Sequence, residues 1–150
     1  MSQLRTLMIL GFSAFFLDQI TKYAAYGLGW TYSNASGPLG IFEDADLFYV
    51  GLIALAVAVV IWSYHVMGSD LGEMTGLTLV AAGVAGNLID FAVHRAVWDW
   101  IPLPGTNIVF NIADVLIIFG LFVWIFLREP SKGGANEGTT QAQGDQAQEV

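Results

Sequence analysis

What most limits the fold of this chain is the length of its apolar runs. Four stand out, from about Leu7 to Leu28, Leu47 to Met67, Thr75 to Val93 and Ile108 to Leu127. Each is near the roughly 20 residues that a helix needs to cross the hydrocarbon core of a bilayer. Hydrophobic residues fill 55% of the 150 positions and charged residues only 12%, far from the mixture of a soluble domain. The expected fold class is an all-α integral membrane protein with four transmembrane helices. A small extracytoplasmic loop region, containing short strands near Thr31, Tyr32 and Ser33, is expected above them. Residues 1–128 read as one membrane domain. Residues 129–150, rich in Gly, Gln, Thr and acidic side chains, cannot bury enough apolar surface to fold alone and read as a disordered polar tail.

The same residues exclude several kinds of function. A net charge of -8 offers no basic face to nucleic acid. With no Cys there is no disulfide, thiolate metal site or Cys nucleophile. His65 and His94 fall at opposite membrane faces and no HExxH is present, so neither a metal nor another cofactor is expected. No GxSxG elbow occurs. A Ser/Lys dyad of Ser36 and Lys22 stays open, without a motif behind it.

An even number of spans puts both termini on one side. Arg5, Arg128 and Lys132 lie there, against Arg95 alone opposite, so the positive-inside rule makes both termini cytoplasmic. The run after Arg5 has the look of a secretory signal, but Asp18 and Lys22 within it favour a retained helix. Trp30, Tyr32, Trp98 and Trp100 fall at the outer interface and Trp62 and Trp124 at the inner one, where aromatic anchors are expected.

Ionisable residues inside a bilayer are costly and mark function by default. At about 1.5 Å per residue, Asp18, Lys22, Asn87, Asp90, Asn111 and Asp114 all fall in the outer half of their spans, with Asp99 in the loop directly above. Asp18 and Lys22 share a helix face at i, i+4 and can neutralise each other, which would also serve insertion alone. Asn87 and Asp90, at i, i+3, can equally act as interhelical glue. Asp99 and Asp114 are different, because neither has a cation near it in sequence. Two close carboxylates in a partly dry site keep one proton between them. The ionised member can then take a proton from water while the protonated one polarises a scissile carbonyl.

Four motifs match one family in its own order. LDQITK (Leu17 to Lys22) is similar to DQxTK, and NASGPLGIF (Asn34 to Phe42) aligns with NxGAAFGxF. GNLID followed by VWDWI (Gly86 to Ile101) resembles GNLIDR…VVDFI, with Asp90 and Asp99 nine apart, and FNIAD (Phe110 to Asp114) matches FNxAD. Over nearly all of Met1 to Arg128 the chain resembles the lipoprotein signal peptidases, the signal peptidase II family of bacterial aspartyl membrane proteases. The resemblance implies that Asp99 and Asp114 are catalytic and that Asp18, Lys22, Asn34, Asn87 and Asn111 support them.

It also implies removal of signal peptides from diacylglyceryl-modified prolipoproteins, cut just before the lipidated Cys, near the outer (periplasmic) face of the inner membrane. Prolipoprotein substrates and membrane lipids are the expected partners of a monomer. Where the family has Ala-Ala-Phe the chain has Gly37-Pro38-Leu39, Ser36 replaces a Gly, and Phe91 replaces the Arg after GNLID. Arg95, one turn beyond Phe91, is a candidate for that missing Arg or an interfacial anchor. A catalytically altered family member stays open as an alternative. So does a small transporter using Asp18, Lys22 and Asp90, though no internal repeat is evident.

Overall fold

The computed structural model describes residues 2–34, 45–65 and 71–127. Among these residues four helices carry the fold: α1 (Ser2–Gly27), α2 (Ala45–His65), α3 (Leu71–His94) and α4 (Ile112–Phe126). Four short strands lie between them: β1 (Tyr32–Asn34), β2 (Val97–Asp99), β3 (Ile101–Pro102) and β4 (Val109–Phe110). β1 pairs antiparallel with β2, setting Tyr32 opposite Asp99 and Asn34 opposite Val97. β3 pairs antiparallel with β4, with Ile101 opposite Phe110. The strands expected around Thr31 to Ser33 are therefore present, and their partner is the segment that holds Asp99.

Three helix starts differ from the hydropathy reading. The first helix begins at Ser2 rather than near Leu7, and the third at Leu71 rather than near Thr75. The fourth begins at Ile112, because Val109 and Phe110 are drawn into the β3–β4 ribbon and Asn111 starts the helix as its N-cap. Apolarity alone cannot separate a strand from the helix that follows it. Among the described residues, α1 and α3 are long and apolar enough to cross a membrane, with mean hydropathy 1.2 and 1.6, while α4 has 15 residues. The expected tail at 129–150 and most of the NASGPLGIF motif lie outside the described residues.

The solvent preference of α1 is inverted relative to a soluble helix. Leu7, Ala14, Asp18, Lys22 and Ala25 form its buried stripe, while Met8, Phe12, Phe16 and Ile20 point outward and are exposed. Apolar side chains outside and charged ones inside suit hydrocarbon surroundings, where charges must find partners in the protein. α3 is the central helix and packs on all three others. Against α4 the two backbones meet: a Cβ on Gly76 would sit 2.6 Å from the Gly120 carbonyl oxygen, and one on Gly120 equally close to that of Gly76. Small residues permit such approach where apolar burial gives helices no net drive to associate.

This contact yields a prediction. Gly120→Val is expected to push α4 away from α3 and cost roughly 1–3 kcal/mol or more of stability. A lower unfolding temperature in detergent, against an unchanged control at the exposed Phe122, is the measurement that checks it.

Candidate active site

The site is built around one buried ammonium. Lys22 is fully buried, and its Nζ lies 2.9 Å from Asp18 Oδ2 and 2.9 Å from Asp90 Oδ2. Its third bond is donated to Asn87 Oδ1, also at 2.9 Å. All three donors of the ammonium are thereby used. The expected i, i+4 pairing of Asp18 with Lys22 is present, and it extends across to α3 through Asp90 and Asn87.

That third bond orients what comes next. With Oδ1 held by Lys22, the Asn87 amide turns its Nδ2 outward, where it donates to Asp114 Oδ1 at 2.9 Å. Asp114 is the third residue of α4, and the helix start explains its pose. Asn111 Oδ1 accepts from the Asp114 N–H at 3.0 Å, while Asp114 Oδ2 accepts from the Asn111 N–H at 3.2 Å. This reciprocal capping box satisfies donors that a helix N-terminus leaves open. The neighbouring Ala113 N–H donates to Asp18 Oδ1 at 2.8 Å, so α1 caps the same helix end.

The second carboxylate arrives from the strands. Asn111 has spent its Oδ1 on the cap, so its Nδ2 faces the other way and donates to Asp99 Oδ1 at 2.6 Å. The other oxygen, Asp99 Oδ2, accepts from Asn34 Nδ2 on β1 at 2.8 Å. The Asn111 amide thus bridges the Asp99 carboxylate and the Asp114 backbone N–H. Burial, with the negative charge of Asp114 adding to it, pushes the Asp99 carboxyl up to about 6 against the lowering effect of its Asn34 and Asn111 bonds. A cavity of about 970 Å³ opens on both carboxylates, Asn34 and Asn87, and the rest of its lining is mostly apolar, with Leu52, Leu55, Ile118 and Phe122 from α2 and α4. A second cavity of about 600 Å³, between α1 and α3, carries no titratable side chain.

Asp18, Lys22, Asn34, Asn87, Asp90, Asp99, Asn111 and Asp114 are therefore brought into one connected network. Arg95 is not among them, and the same-face spacing expected of it with Phe91 does not hold. α3 ends at His94, and Arg95 takes the left-handed conformation (φ 57) with its N–H on the Phe91 carbonyl. Its side chain is exposed, whereas Phe91 is 1% exposed and packs with Leu52 and Val97. One helical turn of spacing fails because the chain leaves the helix between the two residues.

Gln19 is the member that sequence reasoning passed over. Its Nε2 lies within donating distance of Asp18 Oδ2 (3.1 Å), Asp90 Oδ1 (3.2 Å) and the Gly86 carbonyl (3.3 Å), tying the two carboxylates that share Lys22. Its place inside LDQITK, beside Asp18, was the available signal. Gly86 is also part of the build, since a Cβ there would lie 2.5 Å from Asp18 Oδ2.

A helical bundle with its charges turned inward, carrying two carboxylates both bonded by Asn111 beside a largely apolar cavity, defines a membrane protein with a site suited to acid–base chemistry. Solved structures share the fold: a bacterial membrane enzyme determined by the in meso method at 2.3 Å resolution superposes with a TM-score of 0.71 at 23% identity, over 81% of this chain and 86% of that one. A second, at 1.9 Å resolution, gives 0.69 at 22% identity over 81% and 91%. The chain belongs to the signal peptidase II family, whose sequence profile matches residues 10–128. This is a family of bacterial membrane proteases of the aspartic class. Among its relatives, the lipoprotein signal peptidase of Methylobacterium radiotolerans is 32% identical over 86% of this chain and 77% of its own length. Those of Tropheryma whipplei (30%, over 83% and 95%) and Nostoc punctiforme (29%, over 87% and 95%) are similar to it along most of both chains.

The buried cation yields a second prediction. Lys22→Met leaves Asp18 and Asp90 buried without their partner and is expected to cost about 3–5 kcal/mol of stability. Adding Asp18→Asn and Asp90→Asn to that variant is expected to recover much of the loss, because neutral amides need no counter-ion. Denaturant unfolding in detergent micelles measures both.

Proposed function

We propose that the chain removes the signal peptide from diacylglyceryl-modified prolipoproteins, cutting before the lipidated Cys with Asp99 and Asp114 as its catalytic pair. The observation that carries this reading is Asn111, whose side-chain nitrogen binds the Asp99 carboxylate and whose backbone N–H binds that of Asp114, both beside a largely apolar cavity. Asn111 must present its oxygen to the start of α4 and its nitrogen to Asp99, so the pair is preorganised before any substrate arrives. The mechanism is general acid–base hydrolysis. One carboxylate takes a proton from the attacking water, the other donates a hydrogen bond to the scissile carbonyl oxygen, and no covalent intermediate is needed.

Membership of the family supports this assignment, and so does the setting of the pair. We place residues 1–128 as one four-span membrane domain with both termini cytoplasmic. The pair then lies near the outer face, where β1 and β2 meet the ends of α1 and α3. At about 1.5 Å per residue the 15 residues of α4 cover roughly 22 Å, short of a hydrocarbon core of about 30 Å. The cavity runs from the carboxylates along α2 and α4, a path for an apolar signal sequence whose cleavage point stops at the dyad while acyl chains remain in lipid.

The decisive assay incubates the purified chain in detergent with a diacylglyceryl-prolipoprotein and follows release of the signal peptide. Asp99→Asn and Asp114→Asn are each expected to abolish cleavage, a loss of several orders of magnitude in kcat, while the protein still inserts and purifies. Each carboxylate has a proton-transfer role that an amide of the same shape cannot fill. Substantial turnover by either variant would remove that residue from the pair.

The pH dependence makes a separate test. Part of the rise at Asp99 comes from a negatively charged Asp114, so the value near 6 describes loss of the pair's last proton. Cleavage is expected to fall as the pH rises through that alkaline limb. The bond from Asn34 favours the ionised Asp99, so Asn34→Ala is expected to move the limb to higher pH. A limb that stays in place, with chemistry rate-limiting, contradicts the assignment.

A further inference from the structure

β2, the strand that presents Asp99, is too small to hold itself. It has three residues and pairs with the three of β1, and a two-stranded ribbon is at best marginal alone. Alternation along the strand turns Val97 and Asp99 inward, where both are buried, and leaves Trp98 on the opposite face. There the indole lies parallel to the Tyr26 ring at a centroid distance of 4.4 Å and nearly parallel to His94 at 4.0 Å. Tyr23 meets it edge-on at 5.5 Å. Tyr23 and Tyr26 belong to the end of α1, and His94 is the last residue of α3, so one indole ties the outer ends of two helices to the strand. Its backbone N–H adds a bond to Asp90 Oδ2 at 3.3 Å, which links the strand to the carboxylate that neutralises Lys22.

We propose that Trp98 is a positioning residue for Asp99: stacked on Tyr26 and His94, it fixes β2 so that the adjacent carboxylate meets Asn34 and Asn111. This rests on reading Asp99 as half of the catalytic pair. A tryptophan that only anchored the chain at the interface would seek lipid headgroups, whereas this one has its ring faces taken by Tyr26 and His94. The groups that act on Asp99 are Asp114 from α4 and Lys22 from α1, while Asp90 from α3 holds the Trp98 N–H. Displacement of β2 changes the exposure of Asp99 and its bonds to Asn34 and Asn111 without removing any of these charges.

The test uses the full chain in detergent with a diacylglyceryl-prolipoprotein. Trp98→Ala is expected to lower kcat on the order of 100-fold, as misplacement of a catalytic group by about 1 Å can, with KM unchanged. Its alkaline limb is expected to leave the wild-type position, because the burial that raises Asp99 and the Asn34 and Asn111 bonds that lower it both depend on where β2 sits. Trp98→Phe, which keeps a ring in the stack, restores most of the rate. Tyr26→Leu leaves the strand itself untouched and shows part of both effects. If kcat and the limb of the folded protein are unchanged in Tyr26→Leu and in Trp98→Ala, whatever their thermal stability, Trp98 only stabilises the fold and the proposal is overturned. Equal rates for the Ala and Phe variants overturn it too. A wild-type chain that releases no signal peptide strikes instead at the proposed function, so the two failures are distinguishable.

Discussion

A lysine with no access to solvent organises the polar half of this molecule. Lys22 can remain charged inside the bundle only because Asp18, Asp90 and the Asn87 oxygen surround it, and each partner is thereby committed in direction. Asp18 has one oxygen left for the backbone of α4, Asn87 has its nitrogen left for Asp114, and Asp90 has an oxygen left for Gln19. Three helices are locked in relative rotation by one ammonium. In a low-dielectric setting each of these bonds is costly to leave unmade, which makes the arrangement all-or-none.

From that hub the order passes outward through amides. An asparagine side chain has one acceptor end and one donor end, so fixing the first aims the second. Asn87 carries direction from Lys22 to Asp114, and Asn111 carries it from the first turn of α4 to Asp99. The helix cap and the proposed catalytic pair are therefore one construction. The carboxylate that completes the capping box is the one that shares a site with Asp99, and a helix that started one residue earlier or later would separate them. This is why the boundary between β4 and α4 matters more to chemistry than its length suggests.

The apolar side of the structure follows the opposite logic. Lipid-facing side chains of α1 and α4 have no exacting partners, and the helices are registered instead by glycine contacts such as Gly76 on Gly120 and by the approach of Gly86 to Asp18. Polar groups set the geometry of the end that carries the strands, and the glycine contact of α3 with α4 sets the helix spacing away from it. At the cytoplasmic end proposed for the bundle, Trp62 packs edge-on against Trp124, whose Nε1 donates to Glu73 at 3.1 Å, so these rings are partnered within the protein beyond any anchoring role.

Much of this was legible in residue order. The apolar runs located the helices, since hydrophobic length and the ban on unpaired backbone groups in hydrocarbon leave few choices. The spacing of Asp18 to Lys22 determined a pair on one helix face, and the motifs named the two aspartates. The tertiary structure decided what no spacing can encode. It turned Val109 and Phe110 into a strand because Ile101 and Pro102 were there to pair with them, and it showed Gln19 bonding across to α3. It took Arg95 out of line because α3 ends before it, and it joined Asp99 to Asp114 through the two ends of a single amide. Local sequence specifies which groups a segment offers, whereas their orientation is settled only when each donor meets an acceptor from a distant segment.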